Sequence, residues 1–349
     1  MKKKVILIVL AVLLVIGIAA AWFVYSKAFS NNVNLKAKTE IIIYLPTGGS
    51  IQNLYDTLKK NDVLKSFSSF KMLAEYKKLD KRYKPGRYLI TAGMSNNALV
   101  NMFASGRQVP VKITFNNIRT REELAERVGA QLECGEESLL KILNDEKTAE
   151  KYGLNKDNFL VLFIPNTYEL YWNTSADQFI DRMHSEWKKF WTDDRLKKAE
   201  SIGLTPAEVS VLASIVKGET NKSDEMDEIA GVYINRLKEG WKLQADPTVV
   251  FGIGDFTITR VLKKHLEFDS PYNTYIHEGL PPGPINLPDA PVIDKVLNYT
   301  HHDYMYFCAR EDFSGYHNFA VTSAQHSANA RKYQQALAAW EKKKKASGK

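Results

Sequence analysis

A single carboxylate, Glu219, stands at the end of a stretch whose pattern could give it acid–base chemistry. The stretch runs from Leu204 to Thr220 and reads LTPAEVSVLASIVKGET. Thr205, Pro206 and Glu208 form a helix start: a capping hydroxyl, a proline at the first helical position, and a carboxylate three residues after the cap. Val209, Leu212, Ile215 and Val216 then recur at helical spacing and predict the buried face. Glu219 follows Ile215 by four residues and Val216 by three, so it continues that apolar stripe. A carboxylate placed there loses water, and desolvation favours its protonated form, which is what a general acid needs at neutral pH. On spacing alone a solvated helix end is the more usual account of the same residue, since helix ends expose their charges.

The residues that follow favour the chemical account. A second helix is expected over about 223–238, with Ile229, Tyr233 and Leu237 on its buried face and Asn235-Arg236 beside them. Three polar or Pro/Gly-rich loops come next, around Gln244-Ala245-Asp246-Pro247-Thr248, Tyr272-Asn273-Thr274-Tyr275 and Gly279-Leu280-Pro281-Pro282-Gly283. Rigid prolines and glycines interleaved with amides, acids and tyrosines would suit an oligosaccharide groove, hydrogen-bonding to hydroxyls and stacking rings on pyranose faces. Surface connections would read the same way. His317 and His326 are nine residues apart with no third ligand candidate, so no metal site is expected, and no P-loop, GxGxxG or HExxH motif occurs. No cofactor is expected.

The elements that must position these residues belong to a chain of 349 residues, long enough for two or three domains. Its net charge of +8 sits in Lys2, Lys3, Lys4 and a C-terminal lysine run; without those eight lysines, 40 basic residues face 40 acidic ones. The body is neutral, so nucleic-acid binding is not indicated. Cys134 and Cys308 match no metal spacing and could be two thiols or one disulfide. Val5 to Tyr25 is 21 residues without a charge, long enough to cross a bilayer as a helix. The lysine triplet before it favours a cytoplasmic N-terminus and puts the rest of the chain outside the cytoplasm. A cleavable signal ending near Ala19-Ala20-Ala21 competes, but its apolar region would be unusually long.

The expected fold class is α+β: an N-terminal transmembrane helix (1–26), a polar stalk (27–39), a small α/β subdomain (40–115), a larger mixed domain (116–340) and a basic tail (341–349). In the subdomain a strand is expected at Glu40–Leu45, a turn and strand over 84–90 and a further strand over 109–115; one helix follows the turn at 46–50 with Ile51, Leu54, Tyr55 and Leu58 on one face, and others are expected around 67–76 and over 95–105. It could be a spacer or a glycan-gripping module. Residues 119–132 and 136–200 read as helical, interrupted by an apolar, aromatic loop, Phe163 to Tyr171, whose Asn166, Thr167 and Glu169 could line a cleft. A last strand is expected over 304–309.

Six stretches in this order resemble one family: Ala213-Ser214-Ile215-Val216 with Glu219-Thr220, Asn235-Arg236-Leu237, Leu243-Gln244 with Asp246-Pro247-Thr248, Tyr272 to Tyr275, Gly279 to Gly283 with Ile285, and His317 with Phe319. The chain resembles the YceG-like, or MltG, family of endolytic murein transglycosylases, densely over about 160–330. More weakly, 40–115 resembles that family's LysM-like subdomain, and the N-terminal span its anchor. The resemblance implies a bacterial cytoplasmic (inner) membrane protein acting in the periplasm or extracytoplasmic space. It implies cleavage of the MurNAc-β-1,4-GlcNAc bond within nascent peptidoglycan strands, leaving 1,6-anhydroMurNAc ends and terminating strand elongation. The family's catalytic glutamate falls on Glu219. Where many members carry a second glutamate this chain has Lys217, whose amine would lower the acid's pKa if it reached inward. Asn166 stands where the family has an aspartate.

On this resemblance the substrate groove would draw on Asn235, Arg236, Gln244, Asp246 and Thr248, then Tyr272, Asn273, Tyr275 and Pro282, with His317 and Glu169. Ordinary glycosidases use two carboxylates. In the transglycosylase reading the substrate's own muramyl C6 hydroxyl attacks, so Glu219 alone would serve as acid and then base, and Asp246 and Glu169 are the residues that could contradict that. Peptidoglycan strands and the membrane are the expected partners; penicillin-binding proteins would be neighbours, although no residue encodes them. A hydrolytic muramidase and a non-catalytic glycan-binding scaffold for cell-wall synthases are the alternatives.

Overall fold

A computed structural model describes residues 2–36 and 38–346. The fold is mixed α+β, and the chain divides into two compact units. The first runs through Ile113 and adds the short returns Gln131–Cys134 and Tyr168–Ser175; the second holds the remainder.

The first unit opens with α1 (Lys2–Phe29), a helix long and apolar enough to cross a membrane. Then come β1 (Glu40–Leu45), α2 (Ile51–Lys60), α3 (Phe67–Tyr76), β2 (Gly86–Thr91) and α4 (Asn96–Ser105). Ser50, Ser66 and Ser95 cap the three short helices with side-chain oxygens. β1 and β2 pair antiparallel from Glu40↔Thr91 to Leu45↔Gly86. The two-residue alternation sends Ile43, Leu45, Tyr88 and Ile90 into a core shared with Leu54, Phe70 and Phe103, while Ile42 and Tyr44 face solvent.

The expected stalk is not one. Asn31 bridges to Ser95 and Val33 to Leu64, and Val33 is 2% exposed. The segment's polar composition hides a buried network: the Asn32 amide donates to Asn96 Oδ1 and to the Ser66 carbonyl, and the Asn96 amide donates to Ser69 Oγ and the Lys27 carbonyl. Once each amide is satisfied by another group inside, its burial costs little.

The subdomain boundary expected at residue 115 also shifts, because β3 (Val111–Phe115) pairs not with β1 or β2 but with β4 (Asn166–Leu170). β4 occupies the segment expected to be an aromatic loop. Tyr168 and Leu170 are buried and Asn166, Thr167 and Glu169 exposed, the pattern of a half-buried strand.

The second unit continues with α5 (Arg121–Gly129), α6 (Gly135–Leu143), α7 (Glu146–Lys151), α8 (Ala176–Phe190) and α9 (Asp193–Ile202). Its centre is α10 (Pro206–Glu219), packed against α11 (Met226–Lys238) and α12 (Asp246–Ile253), with α13 (Lys263–Leu266) against α12. Then follow α14 (Ala290–Leu297), β5 (Tyr306–Ala309), β6 (His317–Ala320) and α15 (Ser323–Ala346). The capping box foreseen at Thr205 and Glu208 forms. Val209, Leu212, Ile215 and Val216 are fully buried, packed with Ile229, Tyr233 and Val296. Ser214 joins α10 to the loop before α14: its hydroxyl accepts from the Ile285 amide and its carbonyl accepts from the Asn286 side chain. β5 gains an unforeseen antiparallel partner in β6, with Ala309 opposite His317. The expected basic tail from residue 341 is helical to 346 as the end of α15, and 347–349 lie outside the described residues. Cys134 and Cys308 form no disulfide.

Candidate active site

Glu219 is the last residue of α10 and opens onto a cleft of about 750 Å³ within the second unit. Its neighbour Gly218 permits the approach of α12: a Cβ there would sit 2.8 Å from that of Pro247, so only glycine lets the two helix ends touch. That contact brings Asp246, at the start of α12, to the same cleft wall.

Burial and three neighbouring groups set the acid. Burial raises the Glu219 pKa most, the hydrogen bond from Tyr233 lowers it, the Asp246 charge raises it, and Arg236 lowers it; the outcome is pushed up to about 7. The Tyr233 hydroxyl donates to Glu219 Oε1 at 2.5 Å, and burial holds that phenol far above its ordinary range. Asp246 is itself held, accepting a 2.7 Å hydrogen bond from the Tyr275 hydroxyl. Lys217, which could have depressed the acid, points elsewhere: its amine donates to Asp289 Oδ2 at 2.8 Å and to the Leu287 carbonyl.

Other residues expected to grip sugar instead hold backbone. The Asn235 amide donates to the carbonyls of His302 and Tyr304. Arg236, 7% exposed, donates to the carbonyls of Met305 and Leu243. Asn273 is 1% exposed, with its amide on the Leu266 and Phe268 carbonyls. Thr248 is fully buried and bonds to Thr274 and the Ala245 carbonyl. The motif signal in these four marks loop positioning: each satisfies carbonyls or hydroxyls that would otherwise be buried without partners.

His317 is held by an acid rather than by backbone. Its ring Nδ1 lies 2.7 Å from Oε1 of Glu225, whose other oxygen accepts the His317 backbone N–H. Glu225, 3% exposed, also accepts from Thr220 Oγ1, tying the residue after Glu219 to β6. Tyr272 packs its ring 4.7 Å from Phe251, and burial raises its pKa to about 12. Pro282 precedes Gly283, where a Cβ would lie 1.9 Å from the Asp157 carbonyl oxygen, so this loop is seated by close packing. Gln244 is exposed in the left-handed region, φ 51°, with its N–H on the Thr274 carbonyl. Glu169 is exposed on β4, 3.8 Å from Lys112. Asn166 is exposed as well, its oxygen accepting from the Thr167 N–H.

Sequence reasoning missed Tyr233, which it placed on a core face, and Glu225, whose partners lie 5 and 92 residues away. An aromatic residue on a buried stripe announces packing, and nothing in its spacing tells where the hydroxyl ends.

The model of the YceG-like family matches residues 43–332. The chain belongs to the YceG-like family. It is 29% identical over 327 residues to a protein of Bacillus subtilis (strain 168) named endolytic murein transglycosylase, with 89% of each chain covered. It is 27% identical to a Streptococcus pneumoniae (strain D39) protein of the same name, covering 79% of this chain and 55% of that one. A crystal structure of a yceG-like protein from Listeria monocytogenes superposes with a TM-score of 0.55 at 27% identity, covering 84% of this chain and 99% of that one. The family expectation drawn from the six motifs is thereby met.

Proposed function

We propose that this YceG-like chain is an endolytic peptidoglycan lytic transglycosylase, a polysaccharide lyase in which Glu219 is both acid and base. The observation that carries the reading is Glu219 itself, a half-buried carboxylic acid with its pKa pushed up to about 7 on the wall of a cleft large enough for sugars. The names of the Bacillus and Streptococcus relatives support the substrate class.

In this mechanism protonated Glu219 delivers its proton to the glycosidic oxygen between MurNAc C1 and the GlcNAc 4-position, and the C1–O bond breaks. The developing positive charge at C1 faces two negative groups, the new Glu219 carboxylate and Asp246. Glu219 then removes the proton of the muramyl C6 hydroxyl, whose oxygen bonds to C1 and closes the 1,6-anhydro ring. The enzyme regains its proton and no water is consumed. Asp246 acts by its charge, and its hydrogen bond from Tyr275 keeps it in place.

The same reading makes α1 an anchor in the bacterial cytoplasmic membrane. Its 28 residues extend roughly 40 Å as a helix, beyond the roughly 30 Å hydrocarbon core. The lysines of its first turn favour a cytoplasmic N-terminus, with the second unit on the extracytoplasmic side among nascent strands and their synthases. The first unit would grip glycan as a LysM-like module; Tyr44, 46% exposed and edge-on to Trp172 at 5.0 Å, offers an aromatic surface suited to sugar rings.

The test is mass spectrometry of peptidoglycan digested by the full-length protein in detergent, wild type beside Glu219→Gln. Internal fragments with anhydro ends from wild type alone support the reading. Reducing ends would make the protein a hydrolytic muramidase, and intact strands with both proteins would make it a scaffold.

A further inference from the structure

The cleft holds more positive charge than cleavage of an uncharged glycan backbone requires. Besides Glu219 and Asp246 it is lined by Arg119, Arg260 and Lys217. Lys217 is neutralised by Asp289. Arg119 and Arg260 have no ion pair among the described residues, and both are exposed. Arg119 stands just before Thr120, the N-cap of α5, and its guanidinium lies over the Phe256 ring, 4.7 Å from the centroid. The nearby Glu123 carboxylate is spent on the Arg119 backbone N–H, at 2.6 Å, which leaves the guanidinium without a carboxylate partner. Stacking fixes the plane of a guanidinium while its N–H edges remain open for a bidentate anion. Arg260 follows Phe256 by four residues on the same stretch of cleft wall.

We propose that Arg119 and Arg260 bind a carboxylate of the peptide stem carried by the muramyl sugar, making the enzyme selective for stem-bearing strands. The proposal rests on the transglycosylase reading and names the substrate feature that its cleft selects. The carbohydrate backbone of peptidoglycan carries no charge of its own once the lactyl group is amidated, so the stem supplies the anion. Charge-assisted, bidentate pairing is the interaction a planar fork makes best.

The test compares kcat/KM of the full-length protein in detergent on two substrates: stem-bearing glycan strands, and the same strands after an amidase has removed the stems and the freed lactyl carboxylates have been converted to neutral amides. Wild type should prefer the stem-bearing strands by about tenfold or more. Arg119→Ala, Arg260→Ala and their combination should collapse that ratio toward one, and Arg119→Lys should restore only part of it, since it keeps the charge without the fork. A wild-type ratio near one, or a ratio unchanged in both alanine variants, overturns the proposal. Binding of both strands to Glu219→Gln protein, with and without Arg119→Ala, separates this inference from the reaction it rests on. If wild type cleaves neither strand yet Glu219→Gln protein still binds stem-bearing strands in an arginine-dependent way, the stem-binding wall stands and the transglycosylase reading falls.

Discussion

Tyr233, on α11, points its hydroxyl at the carboxylate that ends α10 and donates to Glu219 Oε1 at 2.5 Å. The phenol is fully buried, its ring edge-on to Phe307 at 5.8 Å, so the donor is fixed by packing. It opposes burial and Asp246, which push Glu219 toward its protonated form, and with Arg236 it brings the acid to about 7. A proton held there can be given and retaken at neutral pH with little driving force lost in either direction.

Removing that hydrogen bond should show in the pH profile. The acid must start protonated, so wild-type turnover should fall as pH rises through about 7. Tyr233→Phe removes a group that favours the carboxylate, so the basic limb should move to higher pH. A limb that stays in place would mean that the bond does not tune the acid.

Asp246→Asn should shift the same limb the other way. Removing a neighbouring negative charge eases ionisation of Glu219 and lowers its pKa. Turnover should persist, because Asp246 forms no bond to carbon in this mechanism, while Glu219→Gln should cost at least about 10²–10⁴-fold. Equal losses in the two variants, with both proteins folded, would favour a two-carboxylate mechanism.

Acidity has a stability counterpart. Glu219 has a folded pKa of about 7 against an ordinary 4.5, so between those values the folded state holds a proton that the unfolded chain has released. Stability from this group is therefore complete below 4.5 and is lost as pH rises through 7. Glu219→Gln should be more stable than wild type at pH 8, by about 1–3 kcal/mol after allowance for its partial exposure, and the gain should vanish near pH 4. Urea unfolding at the two pH values checks this; a constant difference would contradict it.

Lys217→Gln should leave the pH profile unmoved. Its amine is committed to Asp289 and the Leu287 carbonyl, so the substitution should lower stability by up to about 2 kcal/mol without touching the acid. A shift of the basic limb would place the amine near Glu219 in solution.

Glu219 and the helix that carries it were legible because the large apolar residues Val209, Leu212, Ile215 and Val216 recur at helical spacing and the capping residues mark where that helix begins, although the structure buries every residue from Val209 to Val216. The two-residue alternation in β4 was present too, with Tyr168 and Leu170 buried between exposed neighbours, but Pro165 and the crowd of aromatics obscured it. Residues 27–39 misled because Asn32 is satisfied inside the protein by Asn96 and Ser66, and composition cannot tell a polar group facing water from one facing other polar groups. The same ambiguity explains Asn235, Arg236, Thr248 and Asn273. Their motif positions are informative, yet the partners are backbone carbonyls and hydroxyls that only the folded chain brings near. Tyr233 and Glu225 depend on where a hydroxyl or a carboxylate points across elements, which no spacing encodes.

Cleavage in water enriched in ¹⁸O tests the central claim most directly, because the attacking oxygen identifies the reaction. If Glu219 activates the substrate's own C6 hydroxyl, wild-type digests should contain anhydro-ended fragments with no ¹⁸O at the new muramyl terminus. New reducing ends carrying ¹⁸O would show that water attacks, and a lytic transglycosylase with a single acid–base carboxylate would no longer describe this protein.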